Sequence, residues 1–584
     1  MAGKISPRLE NGLPYQIYYD PYVPAFKQRD KSSKVKSNCA VCALCVLCVV
    51  FFLATVAVVI AWAVLSDGFK QAGDSKEKQR DAARSETARQ TCTSRTCVQI
   101  ADNIIQSLDE TAKPCDDFFQ FVCGRYSERK LVPASQLRVN VLNEMAATLS
   151  RRLKFIVEKP IRDSDSRGVK MVKTFYQSCM DTKTIESLGT KPFKRIISRL
   201  GGWPLLEDGM FFDEFNYQWE EQAARMFDAV GGQPLFSFSI ASDMKNSTRK
   251  LLEFAQLGLT MGSRKYYIGE GSLESLQLYR TLITEVAISF GAKNGSSLQS
   301  DIEEVIRLET SLAEISASDE EQRNVSNSYN PMTLGQFKRR FAAINWNLYQ
   351  STAFRDLPIT DSDDINVLQL SYFQKLPSVL LTTSKRTISN FIIWRLVIIL
   401  LPYMPDEYGA PFLRFEQASS GVSKEPERWA QCTGATSGML SPALGAMYVK
   451  EYFKSGAKDE AILVMDFLKR VAKKTLQQAE WMDRSARQMA LRKLRYMRDK
   501  VAYPDYLMDE QEILKPYGRL TLTADRFFEN VMAITRNLRS YDLQRFRKPV
   551  DKDKWQGTVV QANAFYSWLN NEMGRKINCV LAGR

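Results

Sequence analysis

The fold class is decided by the stretch Ala461-Ile462-Leu463-Val464-Met465-Asp466-Phe467-Leu468-Lys469-Arg470-Val471-Ala472-Lys473-Lys474-Thr475-Leu476-Gln477-Gln478-Ala479. Its apolar residues recur at intervals of three and four, the spacing of one helix face. Asp483 is well placed to cap a following helix that should stop before Pro504. The same spacing recurs over residues 98–108 and 142–156. We therefore predict a mainly α-helical chain whose apolar stripes form the core.

Only two runs read as β-strands, residues 234–241 and residues 558–567, and no internal repeat is present. The second run, Thr558-Val559-Val560-Gln561-Ala562-Asn563-Ala564-Phe565-Tyr566-Ser567, is rich in β-branched and aromatic residues. An exposed strand edge can hold an extended peptide through main-chain hydrogen bonds. Asn563 could add a side-chain amide contact to that peptide. The sequence thus predicts a peptide-binding strand near residue 560.

The amino-acid composition is that of a large globular protein with a basic net charge. The 584 residues exceed one ordinary domain, and 45% apolar with 25% charged residues is typical of a globular protein. The net charge is +14, with a local excess over residues 484–500, where basic residues alternate with apolar ones at helical spacing. We interpret that segment as a solvated helix face rather than a nucleic-acid site.

Histidine is absent from the whole chain. Its absence excludes Ser-His-Asp and Cys-His catalysis and an HExxH zinc helix built from these residues. Any metal site would have to consist of Cys, Asp and Glu side chains.

The N-terminal segment predicts a membrane anchor. Residues 1–38 are polar and end in a basic cluster, and residues 39–65 carry no charge. That run is long enough to span a bilayer, and it is longer and further from the terminus than the core of a cleaved signal peptide. The preceding basic cluster places the N-terminus in the cytoplasm. We expect a single-pass type II protein of the plasma membrane or a secretory-pathway membrane, with residues 66–90 as a stalk.

An exported ectodomain agrees with two further features. Asn246, Asn294 and Asn324 each begin an N-glycosylation sequon. The ectodomain would place an odd number of cysteines in an oxidising compartment, so at least one is unpaired or pairs between chains. These cysteines are Cys92, Cys97, Cys115, Cys123, Cys179, Cys432 and Cys579.

A series of short motifs resembles the neprilysin family of zinc metallopeptidases, which includes endothelin-converting enzyme. Their order and spacing, rather than any single motif, carry the resemblance. They are Pro114-Cys115-Asp116-Asp117-Phe118-Phe119-Gln120-Phe121-Val122-Cys123-Gly124, Tyr176-Gln177-Ser178-Cys179, Gly202-Trp203-Pro204, Gly262-Ser263-Arg264-Lys265-Tyr266-Tyr267, residues 429–432, Tyr448-Val449, Glu480-Trp481-Met482-Asp483, Val550-Asp551-Lys552-Asp553-Lys554-Trp555 and Asn563-Ala564-Phe565-Tyr566.

The resemblance implies a mostly helical fold in which two lobes enclose a cavity for peptides. It assigns residues 91–550 to the family's N-terminal domain and residues 551–573 to the start of its catalytic domain. Asn563 and Ala564 match the motif that aligns the substrate backbone beside the zinc. Arg138 stands where some members place an arginine that pairs with a substrate carboxylate. Alternatively, Arg138 is a surface or salt-bridged helix residue.

The resemblance also implies a disulfide pattern. Cys92 with Cys97 would close a small loop, and Cys179 with Cys432 would form a long-range bridge. The family partners of Cys115 and Cys123 have no match in this chain, and Cys579 matches no family cysteine. We expect these three to be unpaired, although they could bond to one another or to another chain.

The likeness stops at Gly574, and residues 574–584 have no counterpart in the family. Family members continue into the HExxH helix that binds the zinc. We therefore expect an inactive form, truncated before the zinc motif, with no cofactor in this chain. The alternative is a non-catalytic, membrane-embedded peptide-binding or regulatory protein that could form homodimers, or heterodimers with family members.

Overall fold

The computed structural model describes residues 93–206, 212–453, 456–555 and 557–576. The predicted cytoplasmic tail, anchor and stalk, Cys92 and Cys579 lie outside the described residues. The described chain divides between Leu131 and Val132 into two compact units. The first unit is small and the second contains all of the strands.

Within its described residues, the first unit contains the helices α1 (Arg95–Ile105), α2 (Phe118–Cys123) and α3 (Tyr126–Arg129). Cys97 in α1 is disulfide-bonded, and Cys115 and Cys123 are free thiols. The N-terminus of α2 is capped by Asp117, whose carboxylate accepts a hydrogen bond from the Gln120 amide.

The second unit is mainly helical, as the periodicity predicts. Its helices are α4 (Val141–Val157), α5 (Arg167–Met180), α6 (Thr182–Leu188), α7 (Lys191–Arg199), α8 (Trp219–Val230), α9 (Ser272–Ser289), α10 (Ser296–Ile315), α11 (Asp319–Gln322), α12 (Leu334–Arg340), α13 (Trp346–Ala353), α14 (Leu370–Leu381), α15 (Lys385–Leu400), α16 (Asp406–Ser420), α17 (Arg428–Met439), α18 (Ser441–Tyr452), α19 (Ala457–Gln478), α20 (Arg484–Arg495), α21 (Glu510–Leu514) and α22 (Phe527–Leu543). Asp483 caps α20, accepting a hydrogen bond from the Ala486 amide, as predicted.

The strands form two small sheets. They are β1 (Phe236–Ser242), β2 (Lys250–Gln256), β3 (Pro331–Thr333), β4 (Asp364–Val367), β5 (Arg498–Ala502), β6 (Ala564–Ser567) and β7 (Glu572–Lys576). The first sheet has the order β1-β2-β4-β3 and the second the order β5-β7-β6. The sequence predicted β1 and β6 but not the other five, and the predicted strand 558–567 is a strand only from Ala564 to Ser567.

The main core surrounds α15, which is apolar on nearly every side. By length and composition, Lys385–Tyr403 could cross a membrane, but 72% of its apolar window is buried inside the protein. Trp394 donates a hydrogen bond to the Tyr279 hydroxyl at 2.6 Å, and Tyr279 donates to the buried Glu309 carboxylate at 2.5 Å. This network joins α15 to α9 and α10, so α15 is a core helix of a folded domain.

A long-range disulfide fixes α5 to α17. Cys179 and Cys432 are bonded across 253 residues of sequence, and both are buried. Arg428 in α17 also donates to the Cys179 carbonyl at 2.8 Å. The bridge implied by the family resemblance is thus present in the structure.

A second, smaller core lies under the β5-β7-β6 sheet. Ala457, Ala461 and Met465 of α19 pack there against Val501 and Ala502 of β5. Other apolar residues of α19 are not core, because Val464, Leu468 and Val471 are 46–49% exposed. The prediction that every apolar residue at this helical spacing is core is therefore wrong, since the spacing identifies an apolar face without showing what covers it.

Two glycines in neighbouring helices give a stability prediction. Gly434 in α17 is exposed, and an added Cβ would meet nothing within 4 Å. We expect Gly434→Ala to raise the free energy of unfolding by about 0.5–1 kcal/mol, because glycine is a poor helix former. Chemical denaturation would measure the change.

The matched control is Gly445→Ala in α18, where the new Cβ would lie 3.3 Å from Val559 Cβ. Here crowding offsets the gain in helix propensity, so we expect no stabilisation. Equal stabilisation by both substitutions would contradict this account of the packing.

Candidate peptide-binding site

The predicted peptide-binding strand is β6, at the edge of the second sheet. It pairs antiparallel with β7 alone, and β7 pairs on its other side with β5. The register places Phe565 opposite Gly574 and Ser567 opposite Glu572. Within the described residues, the outer edge of β6 has no neighbouring strand.

The register also shows which main-chain groups face outward. The Lys576 amide donates to the Asn563 carbonyl at 3.0 Å, so these residues form a hydrogen-bonded pair. Because such pairs alternate along an antiparallel ladder, the intervening Ala564 and Tyr566 direct their main-chain groups away from β7. The open edge therefore presents these groups to an incoming peptide.

Asn563 lies exposed at the start of this edge. Its Oδ1 accepts a hydrogen bond from the Ala564 amide at 2.8 Å. The Asn563 side chain thus uses the outward-facing amide of Ala564. The Ala564 carbonyl and the amide and carbonyl of Tyr566 remain open to a partner strand. The sequence motif Asn563-Ala564 is therefore placed directly at the edge where a peptide would pair.

The β6–β7 hairpin is held in register by two local features. Asn571 adopts the left-handed conformation at φ 48°, which asparagine tolerates, and its Nδ2 donates to the Lys493 carbonyl at 2.8 Å. The ring of Phe565 lies against Gly574 so closely that any Cβ at position 574 would clash with it. Glycine at 574 therefore allows the aromatic ring of β6 to cover β7.

A buried ion pair joins β5 to β7. Lys500 Nζ lies 2.8 Å from the Glu572 carboxylate, with side-chain exposures of 6% and 1%. Lys500 also donates to the Lys554 carbonyl at 2.6 Å. Separating this pair would leave a buried charge uncompensated, so it strongly constrains how the two strands meet.

A second buried cation, Lys576, lies at the end of β7. Burial, and then the nearby Lys500 charge, lower the pKa of Lys576 from its ordinary 10.5 to about 8, and Glu572 partly opposes this shift. Its Nζ lies 5.2 Å from the Trp555 ring centre and 5.1 Å from that of Phe565. Two lysines and one carboxylate, Lys500, Lys576 and Glu572, are therefore buried next to β6.

Sequence reasoning missed Lys500, Glu572 and Lys576 because charged residues argue against a buried strand. No alternation of apolar and polar residues marks this strand in the sequence. The period of two appears only in the burial, where Glu572, Gly574 and Lys576 alternate with residues that are less buried. Charges at the buried positions obscured that pattern.

Arg138 lies in an exposed loop that precedes α4. It is a surface residue, as one form of the alternative interpretation expects, but it is not in a helix. Within the described residues, no hydrogen bond or ion pair joins it to β6. Its assignment to substrate binding stays a prediction.

The side chains present do not fit a histidine-based zinc site. The chain contains no histidine, and the described residues contain no group of three or more Cys, Asp or Glu side chains able to hold a metal ion. We therefore derive no chemical step through zinc from these residues. The geometry supports peptide binding by main-chain pairing.

The mainly helical unit and the Asn563-Ala564 edge strand agree with the fold that the sequence resemblance implies. A family model for peptidase family M13 matches residues 114–504, more than half of the chain. The chain belongs to peptidase family M13, the neprilysin family of zinc metallopeptidases.

Curated relatives and solved structures agree with this assignment. Neprilysin-21 of Caenorhabditis elegans is 28% identical over 89% of this chain and 69% of its own length. Membrane metallo-endopeptidase-like 1 of Homo sapiens is 29% identical over 85% and 66%. The chain thus spans about two thirds of the length of these relatives. The zinc metalloprotease ZMP1 of Mycobacterium tuberculosis, solved with an inhibitor, has the same fold, with a TM-score of 0.71 at 21% identity over 81% of this chain and 69% of that one.

The buried lysine yields a pH-dependent prediction. Below pH 8 both the folded and unfolded chains carry a protonated Lys576, and burying that charge costs stability. Between about pH 8 and 10.5 the folded chain releases the proton first, so stability rises with pH through this window. We expect Lys576→Met to remove this rise and to stabilise the protein at pH 7, on the order of 2 kcal/mol.

Denaturation at pH 7, 8, 9 and 10 would test this, comparing Lys576→Met with the unsubstituted chain. Lys375→Met is the matched control, because Lys375 is exposed on α14. The expected difference is specific to position 576. An unchanged pH dependence in Lys576→Met would show that its burial carries no such cost.

Proposed function

We propose that this chain binds extended peptides along the open edge of β6. The observation that carries the proposal is the outward direction of the Ala564 and Tyr566 main-chain groups, with Asn563 beside them. Addition of a strand to such an edge supplies affinity through main-chain hydrogen bonds. Membership of a peptidase family supports a peptide as the ligand.

The residues of this chain hold and orient the peptide. The Ala564 carbonyl accepts a hydrogen bond from the peptide, and the Tyr566 amide donates one to it. The Asn563 side-chain amide adds a polar contact next to them. The buried Lys500–Glu572 pair keeps the supporting strands together, and therefore keeps the edge extended when it is empty.

We also propose that these residues bind peptides without cleaving them. The 584 residues contain no histidine, whereas the resemblance assigns the family's zinc to a two-histidine motif. Zinc would polarise the scissile carbonyl and activate water in a complete site of that kind. A non-catalytic peptide-binding or regulatory role is thus favoured over peptidase activity.

Replacement of one outward-facing amide tests the binding mode. Tyr566→Pro removes the donor that faces the peptide but none that faces β7, and proline is tolerated on an edge strand in that orientation. We expect at least a tenfold loss of affinity for an unstructured fluorescent peptide. Fluorescence anisotropy of the full chain in detergent micelles would measure it.

Tyr566→Ala is the control, because it removes the ring but keeps the amide, and it should bind within about threefold of the original chain. Equal binding by Tyr566→Pro and Tyr566→Ala would contradict edge pairing. Mass spectrometry of the same mixtures should find the peptide intact, and zinc-dependent cleavage would contradict a non-catalytic role.

We further propose a single-pass type II membrane glycoprotein anchored by residues 39–65, with the cytoplasmic tail at residues 1–38. The structure supports this through the exposed positions of Asn246, Asn294 and Asn324 and the buried Cys179–Cys432 disulfide. Asn246 and Asn324 also accept hydrogen bonds from Thr248 and Ser326 of their own sequons, and the side chains therefore lie in open turns.

Glycosylation provides the test of topology. Expressed in mammalian cells, the full chain should shift to lower mass on treatment with an N-glycosidase. Replacing all three asparagines by glutamine should abolish that shift. A chain without glycans would place residues 91–550 on the cytoplasmic side and contradict the orientation.

We also propose that the chain associates with itself or with family members. Support comes from the apolar side chains left uncovered on α19.

A further inference from the structure

Helix α20 carries a basic face that the proposed peptide binding does not use. Its residues Arg484–Arg495 contain basic side chains at positions 484, 487, 492, 493 and 495 and no acidic one. The basic side chains of its last turn are exposed, and within the described residues none of them forms an ion pair. They are Arg492, Lys493 and Arg495. The positive charge of this turn is therefore not balanced by that part of the protein.

Lys493 lies next to the edge strand β6. Its Nζ is 5.8 Å from the centre of the Tyr566 ring. Its main-chain carbonyl accepts the hydrogen bond from Asn571 Nδ2 at 2.8 Å, and Asn571 lies in the turn that joins β6 to β7. The backbone of α20, rather than the Lys493 ammonium group, therefore fixes the helix to the β6–β7 hairpin.

The strand register shows which face of the hairpin α20 borders. Tyr566 pairs with Met573, so these two side chains lie on the same face of the sheet. Met573 packs against the smaller core between α19 and the sheet. Phe565 and Gly574 lie on the opposite face, because side chains alternate along a strand. On the face shared with α19, Tyr566 is thus the side chain at the open edge, and Lys493 lies beside it.

The negative charges of this sheet already have partners. Asp499 lies 2.6 Å from Lys469, and Glu572 lies 2.8 Å from Lys500. They are the two carboxylates of the strands β5, β6 and β7. Neither therefore offsets the charge that α20 places beside β6.

We propose that the β6 edge prefers acidic peptides and that Lys493 sets this preference. An added strand places the side chain opposite Tyr566 on the face that Lys493 borders, because paired residues share a face. The Cβ atoms of directly opposite residues are about 5 Å apart. A glutamate at that position of the peptide therefore reaches the Lys493 ammonium group. Arg492 and Arg495 add charge of the same sign, which favours the approach of an anionic peptide.

This inference rests on the proposed peptide binding and names the class of peptide. Main-chain pairing still decides whether a peptide binds, and charge ranks the extended peptides that pair. Because Lys493 is exposed, its pairing is that of a surface ion pair, and we expect a preference of about three- to fivefold at low salt. Salt screens such pairs, so the preference should fall below about twofold at roughly 0.5 M salt.

The experiment compares two fluorescent peptides of equal length, one alternating Glu with Thr and the other alternating Gln with Thr. Either peptide can direct its Glu or Gln side chains to the face near Lys493, because a slip of one residue moves every side chain to the other face. Fluorescence anisotropy of the full chain in detergent micelles gives the ratio of the two affinities. Lys493→Arg should keep the preference for Glu, Lys493→Gln should bring the ratio close to one, and Lys493→Glu should reverse it.

The matched control is Lys375→Glu. Lys375 is exposed on α14, and this substitution changes the net charge by the same amount as Lys493→Glu. A preference caused only by the overall charge of +14 would respond equally to both substitutions. We expect the ratio in Lys375→Glu to equal that of the unsubstituted chain, because the preference comes from the position of Lys493.

Three results would overturn this inference. They are equal affinities of the unsubstituted chain for the two peptides, a preference for Glu that survives in Lys493→Glu, and a Lys375→Glu chain whose ratio changes as much as that of Lys493→Glu. In each of these cases both peptides still bind, and edge pairing stands. Failure of both peptides to bind the unsubstituted chain would instead contradict the function proposed for β6, and this inference with it.

Discussion

The arrangement of the larger unit depends on the enclosure of α15. A helix that is apolar on nearly every side has to be surrounded by other elements, because leaving any face in water would cost the hydrophobic stabilisation of that face. Helices α8 and α10 pack against α15, and α9 is joined to it by the hydrogen bond from Trp394 to Tyr279. The polar contacts of Trp394, Tyr279 and Glu309 then select one orientation for the packed helices. The disulfide between α5 and α17 adds a covalent constraint to this core.

The candidate site on β6 does not rest on the main core around α15. It rests on a small core between α19 and the second sheet, and few apolar residues contribute to it. The burial of Lys500 and Glu572 compensates for this by making separation of β5 from β7 unfavourable. The ring of Phe565 over Gly574 performs the same task between β7 and β6. The open edge of β6 is thus positioned by a charge pair and one aromatic contact more than by a large apolar core.

Much of the helical structure could be predicted because its determinants are local. Residues 142–156 show the helical period and form α4, and Asp483 caps α20 through its own side chain. The strands were harder to predict, because β5 and β7 bury the charged residues Lys500 and Glu572. These two residues pair across 72 positions of sequence, so no local pattern reveals them. The edge position of Asn563 and Ala564 was anticipated from the family motif and from β-branched composition. The exposure of Val464, Leu468 and Val471 on α19 could not be predicted from periodicity, which is identical for a face that meets protein and a face that meets solvent.

Under the proposed function, the open edge of β6 would select ligands by conformation more than by sequence. Ala564 and Tyr566 present main-chain groups, which every polypeptide can match when it is extended and unpaired. A folded protein has already paired its strands, so it offers no segment to add to the ladder. Short, flexible peptides therefore meet the geometric requirement directly, while globular proteins would first have to unfold locally. Under the proposed function, the edge would therefore favour disordered peptides over folded proteins without contacting any particular side chain.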